Sequence, residues 1–212
     1  MTVMDYWILS GLWIGWCFLH SLAITPAVTT RLRHRLGEKF RFYRVMYNTF
    51  AAVTLLPVLA YTFSLRGEPI FEWKGYLAFV PYALVLVSGW LFLSGMRHYD
   101  MLQFLGVRQL KDRNDCSAIT EDCGLDTTGV LAMTRHPWYL GGILIVWARD
   151  LDMSALITNT IITGYFIVGT FLEERKLVRQ FGAEYRNYQQ RVSMLFPYKW
   201  LKARIKACFH PN

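Results

Sequence analysis

Two short runs in this chain carry side chains able to do chemistry. The first is Arg135-His136-Pro137-Trp138-Tyr139-Leu140-Gly141-Gly142. A proline at a helix start presets the backbone and gives up no needed donor. The amides that follow it favour an anion, because they are unpaired and the helix dipole is positive there. Arg135 and His136 add cationic or proton-carrying groups, Tyr139 adds a ring and a hydroxyl, and Gly141 and Gly142 admit close approach of a ligand or a backbone. The competing interpretation is ordinary membrane-interface chemistry: a basic residue at the lipid surface, an aromatic belt and a helix cap. The second run is Glu173-Glu174-Arg175-Lys176. A carboxylate there can accept two ribose hydroxyls or face a cation, against the plainer reading of a solvated helix end with weak ion pairs. His20, His98 and Asp100 lie near the ends of other apolar stretches. For His20, a packing role competes with proton transfer.

These runs must be held by apolar helices, and the charge distribution says which. The 212 residues are 54% hydrophobic and only 18% charged, which excludes a disordered chain and departs from the average soluble domain. No Asp, Glu, Lys or Arg occurs in the 25 residues between Asp5 and Arg31, the 21 between Arg44 and Arg66, the 22 between Lys74 and Arg97, or the 20 between Asp152 and Glu173. About 20 apolar residues cross a bilayer core, so each stretch predicts a span. His136 to Ala148 adds a 13-residue stretch that we read as a short fourth helix, extended to about Leu156, forming a hairpin with the fifth. The expected fold is therefore an all-α polytopic membrane protein, a single domain over residues 1–212 with five transmembrane helices. The first flank, Met-Thr-Val-Met-Asp, lacks the basic region of a secretory signal, so an uncleaved helix is expected. From Glu173 to about Phe196, Leu177, Phe181, Tyr185, Tyr188, Val192 and Leu195 recur at helical spacing, predicting an amphipathic cytoplasmic C-terminal helix with a break at Gly182 and an end at Pro197.

Of the 23 lysines and arginines, 20 fall in segments 31–44, 97–135 and 173–212. Basic loops stay cytoplasmic, which places the N-terminus outside and the C-terminus inside. The net charge of +8 is then accounted for by loops facing anionic headgroups, and nucleic acid is not an expected partner. Cys116 and Cys123 lie seven residues apart with no fourth ligand, so no metal site is expected. Neither a P-loop nor a strand-borne G-x-G-x-x-G occurs, so a nucleotide cofactor would not be held by a Rossmann-type sheet.

The two runs together resemble the isoprenylcysteine carboxyl methyltransferase family of integral-membrane enzymes. The shared pattern is Arg135-His136-Pro137-x-Tyr139-x-Gly141, a span, then Glu173-Glu174-x-x-Leu177, Phe181-Gly182-x-x-Tyr185-x-x-Tyr188, Val192 and Pro197. It covers about residues 125–197. Within that superfamily the chain is similar to the bacterial methanethiol S-methyltransferase branch and its denitrification-associated relatives. The carriers are His20-Ser21, Phe104-x-Gly106-x-Arg108-Gln109, Leu172-Glu173-Glu174-Arg175 and Met194-Leu195-Phe196-Pro197.

The resemblance implies an S-adenosylmethionine pocket on the cytoplasmic side, built mainly from residues 104–142 and 165–197. Its contacts carry over to Gln109, Leu125, Leu131, His136, Pro137, Trp138, Tyr139, Gly141, Glu173 and Glu174, and it makes His20, Arg135 and His136 the catalytic candidates. The isoprenylcysteine enzymes place a substrate-contacting arginine one turn before the glutamate; here that position is Gly169, which points to a smaller or uncharged acceptor. The implied activity is transfer of a methyl group to a small or lipid-like acceptor, foremost a thiol, in a bacterial inner membrane. The alternatives are an NADPH-dependent membrane reductase of the sterol-reductase type, whose members are longer with about twice the number of helices, and a non-enzymatic membrane accessory protein.

Overall fold

The computed structural model describes residues 2–111 and 124–209. Among them every regular element is helical, and β pairing is limited to the isolated bridges Phe71–Leu151 and Thr134–Ser193. Helices run α1 Val3–Ala23, α2 Pro26–Leu36, α3 Tyr43–Ser64, α4 Val80–Gly95, α5 Met101–Leu105, α6 Val107–Lys111, α7 Pro137–Trp147, α8 Met153–Phe181, α9 Ala183–Arg191 and α10 Tyr198–Phe209. A 3-10 turn, Gly37–Phe42, joins α2 to α3. Among the described residues, four helical stretches are long and apolar enough to cross a bilayer: Val3–Ala23, Pro26–Ser64, Gly75–Gly95 and Met153–Phe181. Their exposed residues include Ile14, Phe18, Phe50, Leu86, Leu93 and Phe171, the outward face that a lipid solvent requires.

The expected fourth span is shorter than its sequence suggested. Helix α7 has 11 residues, or about 16 Å of rise, roughly half the bilayer core. It stops because Asp152 starts the next helix instead: its Oδ1 accepts from Ala155 N at 2.7 Å and from Ser154 Oγ at 2.7 Å, an N-terminal cap for α8. Among the described residues there are thus four helical stretches of spanning length and one short apolar helix, α7, which ends before the expected limit near Leu156. The tail also differs from a single amphipathic helix. Gly182, at φ +57°, breaks it where expected, but α9 ends at Arg191, and α10 follows Pro197 as a helix not expected from the sequence.

Contacts group the chain into two units. One comprises Met1–Glu72, Met101–Ala118 and Arg149–Tyr165. In it Leu9 and Trp13 of α1 meet Val58 and Leu65 at α3, with Ile157 and Ile161 of α8 packed against them. Trp13 Nε1 donates to Thr62 Oγ1 at 3.0 Å, satisfying two buried polar groups at once.

The other unit comprises Trp73–Asp100, Ile119–Ala148 and Phe166–Asn212. Here α7 packs by setting aromatic rings against glycines. Trp138 lies on Gly95, Phe92 lies 3.3 Å from where a Cβ on Gly141 would stand, and Phe166 lies 2.7 Å from that of Gly142. The residues before α7 pair with those after α9, through Arg135 N to Ser193 O at 3.0 Å and His136 N to Met194 O at 3.2 Å. Leu177, Tyr185, Tyr188 and Val192 form the buried cluster between α8 and α9.

Candidate functional site

A cavity opens in the second unit, lined by Tyr99, Leu125, Asp126, Leu131, Arg135, His136, Glu173, Leu177, Tyr185 and Tyr188. Pro137 at the first turn of α7 fixes where Arg135 and His136 emerge, and the pairing with Ser193 and Met194 holds their backbone. Glu173 and Glu174 are presented by α8. Adjacent residues on a helix point about 100° apart, and this separation divides the two carboxylates into different surroundings.

Glu174 is buried and accepts five hydrogen bonds. Its Oε1 takes Arg135 Nε at 2.7 Å, His136 Nε2 at 2.9 Å and Tyr185 Oη at 2.8 Å. Its Oε2 takes Arg135 Nη2 at 2.9 Å and Gln189 Nε2. The fork-to-fork Arg135 pairing is the strongest geometry available to such a pair. Arg135 Nη1 donates to the carbonyls of Gln189 and Val192, so the guanidinium is also committed. Tyr185 returns to α8 because the left-handed turn at Gly182 reverses the chain. Burial, and then the Glu174 charge beside it, push the Tyr185 hydroxyl well above the ordinary tyrosine range, keeping it a donor.

Glu173 faces the cavity instead. Its side chain is 30% exposed, and its Oε2 lies 3.6 Å from His136 Nδ1. Because the Glu174 carboxylate only accepts, His136 Nε2 carries the hydrogen there, and Nδ1 is the ring atom turned to Glu173. Tyr188 Oη donates to Leu131 O at 2.6 Å. The hydroxyls of Tyr185 and Tyr188 are therefore taken up by protein acceptors, leaving rings as lining.

Asp126 is the other carboxylate of the cavity. Its Oδ2 accepts from His98 Nδ1 at 2.6 Å, and its Oδ1 from Thr128 N and Thr128 Oγ1, both at 2.8 Å. Burial raises its pKa, but these hydrogen bonds from His98 and Thr128 outweigh that and hold the carboxyl below its usual range.

Of the residues singled out from sequence, Leu125, Leu131, Arg135, His136 and Glu173 meet in this cavity, with Glu174 directly behind them. The others are occupied elsewhere. Pro137 is buried in helix packing. Trp138 Nε1 donates to Phe92 O at 3.2 Å, and its ring packs on Tyr99. Tyr139 packs edge-on to His136 and Phe166 and covers Gly169, whose Cβ position lies 3.1 Å from Tyr139 Cε1. Gly141 accepts from Ser88 Oγ at 2.8 Å and meets Phe92, so helix packing takes the close approach expected of a ligand.

His20 and Gln109 belong to the first unit. His20 has both ring nitrogens engaged, Nδ1 with Tyr165 Oη at 2.8 Å and Nε2 with Tyr47 Oη at 2.7 Å, and Trp16 stacks on the ring. Gln109 Nε2 donates to Gln103 O at 3.1 Å. Cys116 and Cys123 lie outside the described residues. Tyr99 and Asp126 line the cavity without having been singled out. Asp-Thr-Thr-Gly at 126–129 is a turn signature in which an aspartate binds its own downstream amide, and that signal pointed to Asp126.

Comparison with known proteins bears on this site. The chain is similar to the methanethiol S-methyltransferase of Pseudomonas deceptionensis, 34% identical over 122 residues, covering 57% of this chain and 44% of that protein. It is similar to methanethiol S-methyltransferase 1 of Bradyrhizobium diazoefficiens, 32% identical over 163 residues, covering 74% of this chain and 55% of that protein. The chain thus spans about half the length of these curated relatives. No solved structure matches it. The model of the NnrU protein family matches residues 8–196, a stretch that takes in three of the long apolar helices whole, most of the first, and every residue of the cavity, and the chain belongs to that family.

Proposed function

We propose that this protein is an integral-membrane methyltransferase that uses S-adenosylmethionine and methylates a small thiol. The observation that carries the reading is the cavity itself, where two carboxylates, three tyrosine rings and three leucines converge on His136 over a closed Arg135–Glu174 hub. Two relatives bearing the name methanethiol S-methyltransferase support the same assignment.

The lining fits that cofactor by its chemistry. Leu125, Leu131 and Leu177 offer apolar surface to an adenine. Glu173, which makes no hydrogen bond among the described residues, has both oxygens available to a ribose diol, and Asp126 adds a second anion for a cationic group. Bound there, S-adenosylmethionine supplies a methyl group already activated on a sulfonium. The protein's task is alignment and exclusion of water. His136 Nδ1, facing Glu173, is the atom placed to take the thiol proton, while Glu174 fixes the ring and its tautomer. Arg135, neutralised by Glu174, positions the wall and does not act as a free cation. Tyr139 fills the space over Gly169, which favours a short acceptor.

The start of α7 and the Glu173–Glu174 turn of α8 meet through Arg135, so both flanking basic segments lie on one side, the cytoplasmic side by the distribution of lysine and arginine. This supports five passes with an outside N-terminus, α7 being the short one, in a bacterial inner membrane. The test is calorimetry on the detergent-solubilised chain, with NADPH as the control ligand. We expect saturable binding of S-adenosylmethionine alone, abolished in Glu173→Ala and His136→Ala. Undiminished binding in both variants would refute the site.

A further inference from the structure

Asp126 has a fixed and nearly saturated carboxylate, and the way it is fixed says what it can bind. A carboxylate offers about four lone-pair positions. Three are taken, by His98 Nδ1, Thr128 N and Thr128 Oγ1. One position is left toward the cavity, where the side chain retains 27% exposure. A diol needs two acceptor positions, which Glu173 has and Asp126 has not. A single remaining lone pair on an anion suits one N–H of an ammonium group.

The holding device is specific. His98 follows α4, anchored by its amide to Gly95 O at 2.9 Å. Its ring lies over Gly129, with Nε2 2.5 Å from where a Cβ would stand. Gly129 itself is at φ +54°, in the left-handed region. A histidine from one segment and a glycine and an aspartate from another are thereby locked into one arrangement. Arg135, which also lines the cavity, is neutralised by Glu174 and does not compete for Asp126.

We propose that Asp126, oriented by His98, binds the ammonium group of the cofactor's methionine moiety, with Glu173 left to the ribose. Asp126 is a ligand-binding residue and His98 a positioning residue. The inference rests on the S-adenosylmethionine reading of the cavity and deepens it.

The test compares three ligands by calorimetry on the full chain: S-adenosylmethionine, S-adenosylhomocysteine and 5′-methylthioadenosine, which lacks the amino-acid portion. Asp126→Asn should weaken the first two equally, by about ten- to a hundred-fold, the worth of a hydrogen bond to a charged group. It should leave 5′-methylthioadenosine unchanged. His98→Phe, which keeps a ring over Gly129 but no donor, should reproduce the selective loss, and His98→Asn, which restores a donor near Nδ1, should recover most of it. A loss confined to S-adenosylmethionine would overturn the ammonium assignment in favour of the sulfonium. Equal loss for all three ligands, or no loss in Asp126→Asn, would overturn it outright. Failure of the unaltered chain to bind any of the three would instead sink the methyltransferase reading.

Discussion

Consider Glu174→Ala. The side chains of Arg135 and Glu174 are 7% and 9% exposed, and the carboxylate also satisfies His136, Tyr185 and Gln189. Removing it leaves a buried guanidinium with only carbonyl partners and three donors without acceptors. Breaking one side of such a buried pair costs about 3–5 kcal/mol. For a chain of this size, 1 kcal/mol moves the midpoint by about 2–4 °C, so Tm should fall by roughly 6–20 °C. Thermal unfolding of the detergent-solubilised protein, followed by circular dichroism, measures the shift. Glu173→Ala is the control, since that carboxylate makes no hydrogen bond among the described residues and its loss should move Tm by no more than about 2 °C, within the usual range of surface substitutions. The double variant Arg135→Met with Glu174→Leu should recover much of the lost stability, because replacing a whole buried pair by apolar residues is often neutral. A Glu174→Ala protein as stable as the unaltered one, or a Glu173→Ala protein destabilised as much as Glu174→Ala, would refute the division of labour between these neighbours.

Three further outcomes follow from named contacts. Gly129→Ala forces a side chain into a left-handed conformation costing roughly 1–2 kcal/mol and into the His98 ring, so Tm should fall by several degrees, in the same unfolding assay. The Asp126 carboxyl is held below its ordinary range, so its contribution is complete above the unfolded value near pH 4 and is lost as pH falls through the lower folded value. The Tm gap between Asp126→Asn and the unaltered chain should accordingly be flat from pH 5 to 8 and close only in stronger acid. Gly169→Leu should displace Tyr139, whose ring lies 3.1 Å from the added Cβ, and, if the proposed thiol methyltransferase activity holds, lower kcat/KM for a short thiol such as methanethiol, read as the methylated product in the headspace.

The four long apolar helices were legible because charges punctuate them: Arg31, Arg44, Arg66, Lys74, Arg97, Asp152 and Glu173 bound the stretches that became helices. The start of α7 was equally plain at Pro137. Its end was not: the sequence carries it to about Leu156, past Arg149 and Asp150, whereas Asp152 caps α8 and marks where that helix begins. Glu173 and Glu174 could not be told apart in sequence. Their difference arises from Tyr185 and Gln189, which reach Glu174 only after the reversal at Gly182. Gly141 and Gly142 announced close approach correctly but not the identity of what approaches, Phe92 and Phe166. His98 and Asp126 are 28 residues apart, and no local periodicity links them. Helix α10 had a readable signal, Leu201, Ile205 and Phe209 at steps of four, that the stop at Pro197 obscured.

The left-handed turn at Gly182 carries a consequence for biosynthesis. Among the described residues, the four apolar stretches of spanning length precede it, so these stretches have been made before the chain turns. The hub cannot close until Tyr185, Gln189 and the carbonyl of Val192 have followed. Synthesis of these stretches and completion of the binding wall are therefore separate events in time. A chain released between residues 182 and 192 would keep the apolar stretches but lack donors that close on Glu174. Quality control that surveys polar groups rather than hydrophobic ones would have something to find.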